Sequence, residues 1–513
     1  MSERKKIAEA TLIIGAFAVV GKILGFIREI IIAAFFGTTY RTDAYFIGMA
    51  GPDFIREIIS GSVLTAVFIP VYTAALAKND PEKTEKFLNT TVAMLTIALV
   101  TAAVLGFPLA SLVVKAVAPE ADGQTFKLAV EITRIIFPAM IFMGLASFYG
   151  NLLNVHRHFL TPSMSQAMLN TGVIAGVVLF SSMFGVRSLA IGFLIGAVLQ
   201  FAVLLPSLKE RAVKFRFSFS ITPEMKKMFE IWGPLFIASF VATANDLVSR
   251  SLAAGIGEGN VAGITFANRI RETIWLLCAV PLGTAVFPYL SEYAAAKNTK
   301  ELERTISFAV RLTAFLALPL CALMLFYSEP IVRLLFQRGQ FNANSTLITS
   351  SALVYYSTGA LFFALNYVIL RIYYSVQDSK TPMKVYTAAL VINIVVGLVL
   401  RRSLLIGGVA LARSLSDLAA FILLVALLVK KYPEMDFKSI FISTGKMFII
   451  SIAGAVVSLF AFNAMPQAAS TLAGAVKLFA AFAVFAGIYV GCSFLWEIEE
   501  MSSIKNQIIK KFS

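Results

Sequence analysis

Apolar runs of about 20 residues, the length needed to cross a hydrocarbon core of roughly 30 Å, recur from one end of this sequence to the other. No polar stretch between them is large enough for a soluble domain. The runs fall near residues 10–34, 44–77, 87–114, 126–153, 160–184, 188–208, 229–254, 262–294, 304–328, 345–374, 383–400, 405–429, 441–464 and 470–496. The pattern predicts an all-α polytopic membrane protein with about 14 transmembrane helices. Charge is correspondingly sparse: 14% of the 513 residues are Asp, Glu, Lys or Arg, where a soluble domain carries about 25%. The first run is too long, and too interrupted by charge, for a cleaved signal peptide, so it is read as a span.

Lys and Arg placement sets the expected orientation. Arg4-Lys5-Lys6, the 78–86 loop, the 209–227 loop, Lys297, Lys300, Arg304, Lys380, Lys384, Lys430, Lys431 and Lys438 fall on one side. Arg41, Lys115, Lys127, Arg187, Arg338, Arg401 and Arg402 are scattered on the other. Both termini are therefore expected in the cytoplasm. This loop bias accounts for most of the net charge of +15, so nucleic-acid binding is not inferred. Cys278, Cys321 and Cys492 stand singly in apolar runs, with no metal or disulfide spacing. His156 and His158, in the basic turn VHRHF, are expected at the lipid headgroup level. There is no G-x-x-x-x-G-K-[ST] phosphate loop and no nucleophile beside a base, so neither nucleotide hydrolysis nor another enzymatic activity is expected.

The basic connector SLKERAVKFRFSFSITPEMKK, 207–227, separates six spans from the next eight. It predicts an N-lobe at 1–208, a linker at 209–228, a C-lobe at 229–432, and two appended spans with a cytoplasmic tail at 433–513. TAVF at 65–68 returns at 284–287, and AKN at 77–79 returns at 296–298, at one common offset. Six spans is an even number, so the lobes would be parallel repeats, an arrangement in which transporters bind substrate between the halves.

The charges inside the spans carry the functional signal. GKILGFIREIIIAAFFGTTYRTDAYF, 21–46, holds Lys22, Arg28, Glu29, Arg41 and Asp43. On a helix Gly15, Lys22, Gly25 and Glu29 share one side, with Arg28 about 100° from Glu29. In the second span Asp53, Arg56, Glu57 and Ser60 share a face. The eighth holds Asn268, Arg269, Arg271 and Glu272 in ANRIRETIW. An ionised group at a helix centre costs roughly 2.5–3.5 kcal/mol on insertion scales, so these side chains must face water, protein or ligand. Two readings follow. In one they pair off idly: Arg28 with Glu29 of a neighbouring helix, Arg56 with Asp53 or Glu57, Arg269 with Glu272. In the other, Lys22, Arg28, Arg56 and Arg269 present cationic groups to an anion, the three arginines as planar forks that match phosphate oxygens two at a time. Asp43 reads as an N-cap of the second span or as part of the site. Asp246, in ATANDLVSR, reads as an ion pair with Arg250 or as a cation or proton site coupled to transport.

The block 21–46, then GPDFIREIISGSVLTAVFIPVY, GNLLNVHRHFLTPSMSQAMLN (150–170), FANRIRETIWLLCAVPLGTAVFPYLS (266–291), LLFQRGQF (334–341) and YYSVQDSKTPMK (373–384), resembles the MurJ/MviN family. These are the lipid II flippases of bacterial peptidoglycan synthesis, within the multidrug/oligosaccharidyl-lipid/polysaccharide exporter superfamily. The resemblance implies fourteen helices in two six-helix lobes, with the last two bordering a groove for the undecaprenyl tail. It places the family's functional arginines on Arg28, Arg56 and Arg269, its acidic residue after the first helix on Asp43, and a glutamate on Glu272. Lys22 stands where arginine is frequent, Asn268 replaces an aspartate, and Gly61 replaces a glutamate.

What the resemblance implies is a multi-pass protein of the bacterial inner membrane, part of cell wall biogenesis. It would move lipid II outward by alternating access, driven by membrane potential or a cation gradient, with membrane lipids around it and cell-wall synthesis proteins as candidate partners. The alternatives are an exporter of another lipid-linked oligosaccharide or a drug, and a non-transporting membrane scaffold of cell-wall synthesis. No cofactor beyond a candidate monovalent cation is expected.

Overall fold

The structure, a computed structural model, describes residues 3–77, 80–156, 158–210, 223–433, 436–466 and 470–501; within these the side chains of 3–19, 62–66, 81, 210, 227, 229, 231–235, 237–239 and 242 are not described. The core of the basic linker, 211–222, the Lys78-Asn79 part of one AKN echo, and the tail after 501 lie outside the described residues.

The chain is all-α, with no strand among the described residues. In order the helices are α1 (Glu3–Phe36), α2 (Tyr40–Ser60), α3 (Ser62–Ala77), α4 (Pro81–Gly106), α5 (Ala110–Val117), α6 (Gly123–Val155), α7 (Leu160–Phe184), α8 (Arg187–Ala202), α9 (Leu205–Glu210), α10 (Pro223–Ala254), α11 (Asn260–Ile274), α12 (Val280–Ala295), α13 (Thr299–Phe326), α14 (Ser328–Phe336), α15 (Ala343–Ser375), α16 (Lys380–Lys431), α17 (Phe437–Ala464) and α18 (Thr471–Leu495). Among the described residues ten helical stretches are long and apolar enough to cross a membrane. The expected spans fall largely on helix, but several are interrupted or fused. The 44–77 run breaks at Gly61, where a Cβ would collide with the Glu57 carbonyl and carboxyl groups. The 262–294 run contains a π-helical stretch, Trp275–Ala279, between α11 and α12. The 383–400 and 405–429 runs form one helix, α16, kinked at Leu405 with φ 50°.

Helix starts follow side-chain caps, which satisfy amides that have no intrahelical acceptor. Asp80 caps α4 through Lys83 N and Asp122 caps α6 through Gln124 N and Thr125 N. Asn298 caps α13 and Asn342 caps α15 in the same way. Asp80 and Asn298 are 218 residues apart, as are the starts of α3 and α12, α4 and α13, and α5 and α14. The short helices echo each other too: α5 buries Ala110 and Val114, and α14 buries Ser328 and Val332. The faint sequence repeat is thus also a repeat of secondary structure.

By compactness the chain divides into a unit of 1–262 with 338–341, and a unit of 263–337 with 342–513. In the first, α7 and α8 meet through Gly172, Gly176, Gly192 and Gly196, where a Cβ on any of the four would run into facing backbone. Small residues let membrane helices approach this closely, and the contact fixes α7 in place. On α6, Thr133 Oγ1 donates to Gly48 O at 3.0 Å, holding α2. In the second unit α15 and α16 are tied by Asn366 Nδ2 to Asp417 O (2.8 Å) and Tyr373 Oη to Leu424 O (2.7 Å). The appended helices α17 and α18 share an apolar core with α13, pinned by Tyr489 Oη donating to Phe315 O and by Tyr327 Oη against Ser458 Oγ, both at 2.8 Å.

Candidate functional site

Within the first unit, Arg28 sits on α1 with 15% of its side chain exposed. Its Nη2 meets Glu29 Oε1 at 2.6 Å, and its Nη1 donates to Asn170 Oδ1 on α7 at 3.0 Å. The Glu29 partner belongs to the same helix, not to a neighbouring one as expected from the sequence; side chains 100° apart still converge when both are long. Asn170 also donates to Gly21 O at 3.3 Å, and an ideal Cβ on Gly25 would stand 3.6 Å from Asn170 Nδ2. The bare Gly25 surface is what lets Asn170 come this near. Arg28 Nε is buried and lacks an acceptor among the described residues. Lys22, one and a half turns earlier, is exposed.

Arg56 of α2 (16% exposed) donates through Nε and Nη2 to Asp53 Oδ1 at 3.1 and 2.9 Å, and through Nη2 to Glu57 Oε2 at 3.2 Å. Ser60 Oγ donates to Arg56 O at 3.1 Å. The face predicted from i, i+3 and i+4 spacing is therefore a connected cluster.

Asp43 is buried, and it caps a different helix from the expected one. Its Oδ2 accepts from Gly259 N at 2.6 Å and its Oδ1 from Ala262 N at 2.7 Å, which satisfies the first amides of α11. Reciprocally, Glu258 Oε1 accepts from Tyr40 N, the first amide of α2, at 3.0 Å. Three glycines with left-handed φ, Gly37 (60°), Gly259 (82°) and Gly339 (56°), let the surrounding backbones touch. A Cβ at Gly259 would meet Thr38 O, at Gly339 Ala34 O, and at Gly37 Gln340 O. Gln340 N donates to Ala34 O at 2.8 Å. Segments 257–262 and 338–341, from the second half of the sequence, are thus latched onto the end of α1.

In the second unit, Arg269 on α11 (33% exposed) pairs with Glu272 at 2.8 Å. Asn268 Nδ2 donates to the other Glu272 oxygen at 2.9 Å, and Asn268 Oδ1 accepts from Arg271 Nε at 3.0 Å. An amide can do both; the aspartate expected at this position could not donate. Arg271 is 1% exposed and turns inward, its guanidinium carbon 4.7 Å from the Tyr356 ring centroid and 4.4 Å from that of Phe363. Its Nη1 donates to Asp417 Oδ2 at 2.8 Å, and Arg413 Nε lies 3.6 Å from Asp417 Oδ1. Asn170, Arg413 and Asp417 were missed at the sequence level. The separation of Arg271 from Arg269 could have been read there, because residues two apart on a helix lie about 200° apart.

Each of the three expected arginines therefore keeps a carboxylate of its own helix, as the pairing reading predicts for Arg56 and Arg269 but not for Arg28, while staying partly exposed. Asp246 is exposed on α10, and no group of three His, Cys, Asp or Glu residues suited to a metal occurs among the described residues. His156 Nε2 lies 3.3 Å from Tyr72 Oη and His158 Nε2 3.2 Å from Ser207 Oγ, so the two histidines bridge helices.

Residues 32–476 match the family model described as lipid II flippase MurJ. The chain belongs to the lipid II flippase MurJ family. It is 29% identical over 400 residues to "Lipid II flippase MurJ" of Burkholderia cenocepacia, covering 75% of this chain and 76% of that one. It is 27% identical over 512 residues to "Probable lipid II flippase MurJ" of Bdellovibrio bacteriovorus, covering 98% and 97%. In fold it resembles a solved "Lipid II flippase MurJ, inward closed conformation" with a TM-score of 0.80 at 24% identity, covering 95% of this chain and 99% of that one. It also resembles an inward-facing multidrug resistance MATE family transporter, with a TM-score of 0.67 at 16% identity, covering 81% and 96%. Membership of the family accounts for a multi-pass helical chain.

Proposed function

We propose that this protein moves lipid II, the undecaprenyl-diphosphate-linked peptidoglycan precursor, from the cytoplasmic to the outer leaflet of the bacterial inner membrane. The match to the flippase family over residues 32–476 carries this reading. Arg28, Arg56 and Arg269 are its candidate diphosphate ligands. Their ion pairs hold the guanidinium planes in place, and a diphosphate can compete for N–H edges that the carboxylates leave open; among the described residues Arg28 Nε has no acceptor to surrender. Lys22 adds an exposed cation, and Glu272 with Asn268 orients Arg269.

Transport proceeds by alternating access, in which only a difference in affinity between states shifts the equilibrium. On the expected orientation, with both termini cytoplasmic, the Asp43 latch lies at the outer face. Breaking the Asp43–Gly259 and Asp43–Ala262 bonds would be one step of opening outward. Energy comes from the membrane potential or a cation gradient, with Asp246 as the candidate cation site.

One observation favours a second reading. Because every one of these arginines has an acid partner, the clusters also suit a non-transporting scaffold of cell-wall synthesis with structurally idle pairs. Complementation of a bacterium depleted of its own lipid II flippase, scored by surface accessibility of the lipid, distinguishes the two. The flippase reading expects rescue by the wild-type chain and loss of rescue on Arg→Ala change at 28, 56 or 269; a scaffold would tolerate those changes.

A further inference from the structure

Among the described residues Lys477 has no counter-ion. It is the seventh residue of α18, about 10 Å below the helix start, on a helix whose Leu472, Val476 and Phe479 are 76%, 63% and 66% exposed and so face lipid. Its stem leans back toward the helix N-terminus, as helical side chains do. Nζ donates to Met465 O at 3.1 Å and lies 4.4 Å from the Phe462 ring centroid. Neither neutralises it, and among the described residues no carboxylate pairs with it. A charge at membrane depth is ordinarily paired or placed against an anion.

The ammonium borders a cavity of about 990 Å³, walled by α14 and the facing ends of α17 and α18, with Arg333, Gln337, Asn463, Ser470 and Gly474 also in its lining. Arg333 is offset by Glu329 at 3.4 Å, so Lys477 leaves the cavity one positive charge in excess. The start of α18 adds to this. Ser470 Oγ serves Ala473 N, while other first-turn amides have no intrahelical acceptor and carry positive partial charge. α14 itself is amphipathic, burying Ser328, Val332 and Phe336 and exposing Glu329 and Arg333, the form of a helix lying in a membrane interface.

We infer that this cavity seats the phosphate headgroup of an anionic membrane phospholipid, with Lys477 as its principal contact and the acyl chains along the exposed faces of α17 and α18. A lipid supplies the missing negative charge from the side on which the cavity borders apolar, lipid-facing surface. The inference does not depend on the transport reading.

Native mass spectrometry of the purified full-length protein, titrated with phosphatidylglycerol, phosphatidylcholine or inorganic phosphate, tests it. Phosphatidylglycerol is expected to bind in preference to phosphatidylcholine, and Lys477→Gln to reduce that binding about fivefold, the share expected of one lysine beside an anionic headgroup. Lys477→Arg should retain binding, and Lys446→Gln, on α17 beside Trp496 O, should leave it unchanged. Asn463→Glu, which supplies a carboxylate from the protein, should displace the lipid with Lys477 intact, so the inference stays testable if Lys477→Gln folds poorly. Equal phosphatidylglycerol binding by wild type, Lys477→Gln and Asn463→Glu would overturn the assignment. So would an equal loss in Lys446→Gln, or displacement of the lipid by millimolar inorganic phosphate.

Discussion

Gly339→Ala isolates the docking of segment 338–341 on the end of α1. Gly339 and Gly185 have nearly the same positive φ, 56° and 55°. A Cβ at Gly185 meets nothing within 4 Å, whereas one at Gly339 runs into Ala34 O, a backbone atom that cannot rotate away. Gly185 has ψ −135°, outside the left-handed helical region, so Gly185→Ala serves as a remote positive-φ control and the alanine penalty of about 1–2 kcal/mol at Gly339 is counted separately. What remains at 339 is the loss of the Gln340 N to Ala34 O bond, net about 0.5–1.5 kcal/mol, and exposure of Phe341, now 1% exposed, at about 1.5–3 kcal/mol. The sum, about 2–4.5 kcal/mol, is roughly a 30- to 2,000-fold rise in local opening. Amide hydrogen exchange by mass spectrometry on peptides spanning 336–346 and 31–40, with the protein in lipid nanodiscs, reads this opening. Exchange at Gln340 should accelerate by that factor in Gly339→Ala and stay at wild-type rates in Gly185→Ala. Equal rates in the two variants would refute the latch.

Asp43→Ala removes the acceptor of two buried amides, each worth about 1–3 kcal/mol when left unsatisfied, and should speed exchange at Gly259 and Ala262; Glu258→Ala, which frees only the Tyr40 amide, should do much less. Arg271→Met leaves the buried Asp417 with Arg413 at 3.6 Å and should cost about 3–5 kcal/mol, seen as a fall in melting temperature that Arg269→Met, at a half-exposed pair, does not reproduce. The Asp122 carboxyl is held below the usual carboxylate range by the Thr125 amide first, then by the Thr125 hydroxyl and the Gln124 amide. A lowered folded-state pKa means its capping contribution is complete above the unfolded value near 4 and fades as pH falls through the lowered one; the stability gap between wild type and Asp122→Ala should close below about pH 4.

The helices were legible because an apolar run of membrane-spanning length has few other solutions, and Asp80, Asp122, Asn298 and Asn342 mark starts by cap chemistry visible in the sequence. The breaks were less so: the Gly61 discontinuity and the Leu405 kink sit inside runs of unchanged hydrophobicity. Asp43 reads as a capping carboxylate from its position, but its amides lie more than 200 residues away, and local spacing cannot choose between its own helix and a distant one. Asn170 is a single amide in an apolar helix, with nothing around it to announce a partner on α1. The Arg56 cluster was read correctly because i, i+3 and i+4 neighbours need only helical geometry.

Lipid II translocation in cells depleted of their own flippase, carrying the wild-type chain or Arg28→Ala, Arg56→Ala or Arg269→Ala at normal protein levels, decides whether these partly buried guanidiniums serve a diphosphate. Loss of outward lipid II movement in each variant, with unchanged folding and abundance, is the predicted result. Wild-type translocation in all three would show the ion pairs to be structural and contradict the proposed role of these arginines.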